Sequence, residues 1–403
     1  MWRSLRIPAY RHRWAERLGH YNASMQPARS CVVFHAVSVG EVHAAQPLIE
    51  AFMQARPEIS IVLTTTTPTG SERVQALFGD RVKHVYLPWD LPGPVSRFLT
   101  FFNPKMLVLM ETELWPNLLA GCIRNGCPCY LINARLSEKS LRGYLKIRTM
   151  AGSMLKAVNA IAAQSQADAK RFVALGYLES AVLVTGSLKF DVRMDQEKIL
   201  HGKALKSAIG SRPVWIAAST REGEDQKVLQ AHALARRQVP DLLLVLVPRH
   251  PERFTLAAHL SEEAGFATQR YSQGRELAAT TSVLVGDTMG DLVLYYALAD
   301  IAFVGGSLVN TGCQNVIEAA AMGLPVLAGP SRFNFQAVSD EMLKAGALVE
   351  VENEEALARV VQHMVADESF RKAAGTAALA HAVSNQGATL KVCSLLLDKI
   401  PTH

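Results

Sequence analysis

Along this chain, short apolar runs alternate with longer stretches whose apolar residues recur at helical spacing. The runs at 31–37, 59–65, 82–87, 106–110, 130–133, 160–163 and 182–185 read as strands. Helices are expected between them at 42–55, 71–78, from 133 to about 157, and at 167–175. Such alternation implies a parallel sheet with helices on both faces, because a parallel crossover needs a helix-length connection. The pattern pauses over the polar, charged stretch 191–212, which reads as a linker with a short helix. It restarts with strands at 214–218, 242–247, 282–285, 301–304 and 325–327. Helices are expected at 223–237, 251–264, 292–299 and 315–322, and closing helices at 354–365, 370–381 and 390–397.

The pattern therefore predicts an α/β fold of two doubly wound, Rossmann-like domains. The expected boundaries are 1–190, a linker 191–212, a second domain 213–385 and a helical tail 386–403. Two such domains would face one another across a cleft at the carboxyl ends of their strands, where open α/β sheets bind ligands. Neither first strand leads into a GxGxxG turn, which argues against a nicotinamide or flavin enzyme. Two Rossmann-like halves without that fingerprint suggest a GT-B-type glycosyltransferase, by fold analogy.

Charge and cysteine usage narrow the partners. The net charge of +6 favours an anionic partner, and no nucleic-acid-binding signature is present. The six cysteines lie mostly within apolar runs and read as buried, reduced thiols rather than zinc ligands. No apolar run reaches the roughly 18 to 20 residues of a membrane helix. The first 21 residues, however, interleave Arg3, Arg6, Arg11, Arg13 and Arg17 with Trp2, Tyr10, Trp14, Leu18 and Tyr21. That suits an anionic membrane surface, and equally a helix packing its aromatics on the body.

Five strand ends carry candidate chemistry. Ser38-Val39-Gly40-Glu41 follows the first strand. Its carboxylate fits a general base or a helix-capping glutamate. Glu111 and Glu113 follow the strand at 106–110; strand alternation would place both on one side, as ligand groups or as caps for the next helix. Lys189, in Gly186-Ser187-Leu188-Lys189-Phe190-Asp191, fits an anion-stabilising cation or a surface lysine. In the second half, Ser219 and Thr220 before one helix, and Arg249 and His250 before another, make two possible anion sites. The last is Gly305-Gly306-Ser307 leading to Asn315-Val316-Ile317-Glu318. Its glycines allow close approach to a ligand, and its helix start offers free N–H groups to an anion. Gly290, Asp291 and Leu292 form another helix start that could join this pocket.

In chain order these motifs resemble the bacterial 3-deoxy-D-manno-octulosonic acid (Kdo) transferases. The matching segments are Ser38-Val39-Gly40-Glu41, Thr67-Pro68-Thr69-Gly70-Ser71-Glu72-Arg73, Glu111-Thr112-Glu113-Leu114-Trp115-Pro116-Asn117 and Asn133-Ala134-Arg135. They continue with the segment around Lys189, Pro248-Arg249-His250-Pro251-Glu252-Arg253, Gly286-Asp287-Thr288-Met289-Gly290 and Asn315-Val316-Ile317-Glu318. The resemblance implies a GT-B-type fold, CMP-Kdo as donor and the lipid A precursor (lipid IVA) as acceptor. It implies lipopolysaccharide biosynthesis at the cytoplasmic face of the inner membrane, with no metal and no cofactor. It assigns Glu41 as the general base, with Glu111 and Lys189 stabilising the transition state. Arg249, His250, Gly290, Asp291, Leu292, Asn315, Val316, Ile317 and Glu318 would hold the CMP moiety. Direct displacement without a covalent intermediate would invert the anomeric carbon.

Two positions depart from the family pattern. Cys313-Gln314 stands where a Gly-His pair is common, and Arg221 where histidine is frequent. Members usually open with a membrane-anchoring helix, which this chain is expected to lack. The alternatives are a transferase or epimerase of the same architecture using another nucleotide sugar, or a non-catalytic lipid- or nucleotide-binding protein.

Overall fold

The computed structural model describes residues 13–27, 30–191, 194–274 and 276–400. The chain forms two compact units, the first from Met1–Val192 with Asn385–His403 and the second from Arg193–Ser384.

The first unit is built on seven parallel strands: β1 (Cys31–His35), β2 (Ser60–Thr65), β3 (Lys83–Tyr86), β4 (Met106–Met110), β5 (Cys129–Ala134), β6 (Ala160–Ala163) and β7 (Val182–Val184). Their order across the sheet is β3-β2-β1-β4-β5-β6-β7. The helices are α1 (Trp14–Arg17), α2 (Val39–Ala55), α3 (Pro68–Phe78), α4 (Pro92–Phe102), α5 (Pro116–Arg124), α6 (Glu138–Leu145), α7 (Arg148–Lys156) and α8 (Gln166–Ala174). Every residue of β1 and β4 is buried, as a sheet covered on both faces requires. Alternation along β1 sends Cys31 and Val33 into one core with Phe98 and Leu107, and Val32 and Phe34 into the other with Ile49 and Phe52.

The second unit repeats the scheme with β8 (Val214–Thr220), β9 (Leu243–Pro248), β10 (Thr268–Arg270), β11 (Val283–Val285), β12 (Ile301–Val304), β13 (Val326–Ala328) and β14 (Leu348–Glu350), all parallel. The order is β10-β11-β9-β8-β12-β13-β14. Its helices are α9 (Gln196–Ala208), α10 (Glu224–Arg236), α11 (Phe254–Glu263), α12 (Leu292–Leu298), α13 (Val316–Ala321), α14 (Gln336–Lys344), α15 (Glu354–Ala366) and α16 (Glu368–Ser384). In each sheet the first strand sits where the order reverses: β1 between β2 and β4, β8 between β9 and β12. The doubly wound α/β reading of both halves therefore holds.

The polar stretch after β7 contains a 13-residue helix, α9, capped by Asp195. It packs so tightly on α12 that a Cβ at Gly202 would lie 2.2 Å from the Leu294 carbonyl oxygen. The closing helix α17 (Ala388–Lys399) returns to the first unit, where Val392, Cys393 and Leu396 join its core. Asp191 fastens this return by accepting from the N–H groups of Gly387 at 2.7 Å and Thr389 at 2.5 Å. Strand β10 and helix α14 have no apolar run to announce them: β10 is Thr-Gln-Arg, and α14 buries only Ser339 and Met342.

Candidate active site

Strand β1 gives way to α2 through a short turn, with Ser38 extended at the helix N-cap. Glu41 lies in the first helical turn and folds back over it. Its carboxylate accepts from the Val37 N–H at 2.9 Å and from the Ser38 hydroxyl at 3.1 Å. Only 9% of the residue is exposed. Burial pushes its pKa up, the Val37 bond pulls it down, the charges of Glu111 and Glu113 push it up again, and the Ser38 bond opposes them. The outcome is about 7. An ordinary capping glutamate is ionised well below neutrality. This one makes cap-like bonds and still has a proton affinity suited to a base at neutral pH.

Strand β4 stops at Met110, and Glu111 turns the chain in the left-handed region at φ 55°. Strand alternation therefore does not extend to Glu111 and Glu113. Neither caps α5; Asp90 does, accepting from the N–H groups of Asn117 at 3.0 Å and Leu118 at 2.8 Å. The Glu111 carboxylate instead lies 3.3 Å from Lys189 Nζ and 3.4 Å from Arg135 Nε. Glu113 is pushed up by burial and by Glu111, against a bond from Trp115.

Lys189 is placed by the end of β5. Fully buried Asn133, left-handed at φ 48°, accepts the Leu188 N–H on its Oδ1 at 3.1 Å, while Ser187 Oγ accepts the Lys189 N–H at 3.4 Å. Two residues beyond Asn133, Arg135 completes the ring of charge around Glu111. The structure thus brings Glu41, Glu111 and Lys189 together with Glu113, the second carboxylate expected after β4, and adds Asn133 and Arg135, which stood in the sequence only as part of a matching segment. The one local signal was the asparagine at a strand end, the non-glycine residue that best tolerates left-handed backbone.

In the second unit, Ser219 is left-handed at φ 58°, within an irregularity of β8 between Ala218 and Thr220. Thr220 is fully buried, and its carbonyl accepts the Arg249 N–H at 3.0 Å. The Arg221 guanidinium meets the His250 ring at 2.5 Å. Burial lowers the His250 pKa, and Arg221, Arg249 and Arg253 lower it further against Glu252, which favours the neutral imidazole. Glu224, with no exposed surface, accepts from four backbone N–H groups: Arg221 at 3.1 Å, Gly306 at 2.5 Å, Ser307 at 3.0 Å and Leu308 at 2.9 Å. The glycine turn after β12 is thus filled by a protein carboxylate rather than left open as a cradle. Gly305 is needed because a Cβ there would sit 2.7 Å from Thr220 Cα.

At the start of α13, Asn315 Oδ1 accepts the Ile317 N–H at 3.1 Å, so that group is not free for a ligand. Asn315 Nδ2 donates to Glu318 at 2.9 Å. Glu318 is raised by burial, against that bond and the Arg249 charge, which links Arg249 to the Asn315, Val316, Ile317 and Glu318 turn. Gln314 and Arg221, the two departures from the family pattern, border one residue: a Cβ at Gly306 would lie 3.2 Å from Gln314 Nε2 and 3.3 Å from Arg221 Cγ. Gly290 and Asp291 are bonded elsewhere. Lys198 on α9 pairs with Asp291 at 2.9 Å and donates to the Gly290 carbonyl at 2.8 Å. Of these residues, Lys198 and Asp291 line a cavity of about 570 Å³ with His201, Tyr271 and Thr288.

Of the basic start, Arg13 and Arg17 both stack on Tyr86, at 4.7 and 4.1 Å, and Trp14 packs on Trp89. Arg3, Arg6 and Arg11 lie outside the described residues. All six cysteines are buried and free. Among the described residues no helix is long and apolar enough to cross a membrane.

Comparison with known proteins places this geometry in a family context. Residues 12–192 match the family model described as 3-deoxy-D-manno-octulosonic-acid transferase (kdotransferase), and residues 211–381 match glycosyl transferases group 1. The chain is 41% identical over 395 residues to the 3-deoxy-D-manno-octulosonic acid transferase of Haemophilus influenzae, covering 98% of this chain and 92% of that one. It is 39% identical over 384 residues to the enzyme of the same name from Bordetella pertussis, covering 92% and 88%. Among solved structures, UDP-GlcNAc 2-epimerase from Neisseria meningitidis superposes with a TM-score of 0.62 over 92% of this chain and 100% of that one, at 14% identity. That last likeness is one of fold.

Proposed function

Since the chain belongs to the 3-deoxy-D-manno-octulosonic acid (Kdo) transferase family, we propose that it moves Kdo from CMP-Kdo to the lipid A precursor, lipid IVA, by one inverting displacement with Glu41 as base. Family membership makes it a Kdo glycosyltransferase of lipopolysaccharide biosynthesis. The acceptor, the stereochemistry, the residue roles and action at the cytoplasmic face of the inner membrane are the proposal. The observation that carries it is Glu41: a buried carboxylate at the switch point of the first sheet, with a pKa of about 7, beside the Glu111–Lys189 pair.

In this mechanism Glu41 Oε takes the proton from a glucosamine hydroxyl as its oxygen attacks the anomeric carbon of Kdo. The bond from that carbon to the CMP phosphate oxygen breaks, and CMP departs as a monoester anion. Lys189, held by Glu111 and by the Asn133-anchored turn, supplies positive charge to the developing negative charge. Arg249, His250, Ser219, Thr220 and the Asn315, Val316, Ile317 and Glu318 turn bind CMP, with Gly290, Asp291 and Leu292 beside them. Occupancy by CMP would displace Lys198 from Gly290 and Asp291 or use it as a further cation. No metal or cofactor is invoked, and CMP-Kdo is a substrate.

The test is product analysis. Purified chain with CMP-Kdo and lipid IVA should give CMP and an acceptor heavier by whole Kdo residues, with the anomeric configuration opposite to that of the donor. Retained configuration, or CMP release independent of acceptor, would contradict it.

A further inference from the structure

The turn that carries Lys189 is held at more points than a surface loop needs. Leu188, Lys189 and Phe190 form one turn of 3-10 helix, in which Leu188 and Phe190 are buried. Leu188 packs in the core with Ala388, Val392 and Leu396 of α17. On one side Asn133 holds the turn through the Leu188 N–H. On the other side Asp191 holds it twice. Its N–H donates to the Leu188 carbonyl at 3.2 Å, and its carboxylate accepts from the N–H groups of Gly387 and Thr389.

Helix α17 opens at Gly387, which is left-handed at φ 94° and has no side chain to cap it. A helix start leaves several N–H groups without partners and favours a negative charge. Asp191 supplies the acceptor and the charge from 196 residues away in sequence. Helices α9 and α15 are capped more simply, each by the residue before it, Asp195 and Asn353. The distant cap adds what a local one could not: a link between a buried helix and the root of Lys189. The two segments also approach at Gly186, where a Cβ would lie 3.6 Å from Ala388 Cβ. A lysine stem is long and flexible, and the Glu111 pair holds only its tip. A cation stabilises a transition state only from a set place, so the root of the side chain has to be fixed as well.

We propose that Asp191 is a positioning residue. By tying the Lys189 turn to α17, it holds the Lys189 ammonium where negative charge develops during transfer. The inference rests on the role given to Lys189 above and goes beyond it.

The test is steady-state kinetics of the full chain with CMP-Kdo and lipid IVA, on protein shown to be folded by circular dichroism. Asp191→Asn keeps the shape but replaces one acceptor oxygen with a donor. Its kcat should fall roughly tenfold to a hundredfold, with CMP affinity and both KM values unchanged. Lys189→Met should lower kcat at least as far. Adding Asp191→Asn to it should cost nothing more, because a residue that acts only through Lys189 then has nothing to position. Leu396→Ala empties a buried site at the far end of α17 and leaves the Asp191 bonds in place. It should lower the melting temperature and leave kcat unchanged. If Asp191→Asn does not fold, Asp191→Glu takes its place. It keeps both acceptor oxygens but sets the turn one methylene further from α17, and the same loss of kcat alone is expected. Unchanged kcat in the Asp191 variant, full additivity with Lys189→Met, or an equal loss in Leu396→Ala overturns the proposal while leaving the role of Lys189 intact. Unchanged kcat in Lys189→Met removes that role itself, and the proposal falls with it.

Discussion

Each unit begins with the same phrase: a buried strand at the switch point, a turn, then Gly-Glu opening a helix. In the first unit the phrase ends in Gly40-Glu41, in the second in Gly223-Glu224. The two glutamates differ in their company. Glu41 has two donors and two carboxylates, Glu111 and Glu113, that raise its proton affinity. Glu224 has four backbone donors and no exposed surface. It pins the turn after β12 to the turn after β8. The motif supplies a carboxylate at a strand end; the rest of the fold decides whether that carboxylate exchanges protons or acts as a tie.

Three substitutions would break or sharpen this contrast. Glu41→Gln keeps the shape and can still accept hydrogen bonds on its amide oxygen, but it cannot take a proton. Transfer should fall by about a hundred- to ten-thousand-fold, with CMP affinity by calorimetry unchanged, because the proposed donor residues all lie in the other unit. Near-normal transfer would make Glu41 a cap like any other and move the base to Glu111 or Glu113.

Glu224→Ala should act on folding instead. It leaves four buried N–H groups without their acceptor, and a loss of about 3 to 5 kcal/mol is expected. The denaturation transition that CMP protects should shift to lower denaturant. An unshifted transition would show that water or a neighbouring group replaces the carboxylate without cost.

The smallest effect concerns Gln314. It donates to the Gly312 carbonyl at 3.3 Å and cannot titrate near neutrality. Gln314→His should change CMP affinity by less than about tenfold, or roughly 1.4 kcal/mol. A larger change in either direction would make the position a determinant of donor binding.

How far the sequence discloses these features follows from how local each one is. Strand β4 was legible residue for residue, because all five of its positions are apolar and buried. Strand β10 was not, because its three residues are polar and only partly buried. Glu41 could be located from its strand-to-helix turn, but its pKa depends on its burial in the fold and on glutamates about seventy residues away in sequence. Glu224 was legible only as a helix start, since its partners lie 82 to 84 residues further on. The same distance explains the glycines at 305 and 306. They suggested a cradle for a ligand; in the fold Gly305 leaves room for the backbone at Thr220, and Gly306 leaves room for the Gly312 carbonyl. The left-handed backbone of Glu111 and Ser219 has no sequence signature, since neither residue type favours it.

The central claim is that Glu41 is a base because burial and its carboxylate neighbours set its proton affinity. Its pKa in the fold, about 7, is raised from 4.5. The ionised form is therefore disfavoured by folding, and this cost grows as pH rises from 4.5 through about 7 and then levels off. Glu41→Gln should accordingly melt at a higher temperature than the unaltered chain at pH 8, with the difference shrinking toward pH 5. The most direct measurement is kcat/KM for Kdo transfer against pH in the unaltered chain and in Glu41→Gln. The account predicts a rise through an apparent pKa near 7 in the unaltered chain, and a low, flat profile in the variant. The same limb surviving in Glu41→Gln would contradict it, since the titrating base would then be another group.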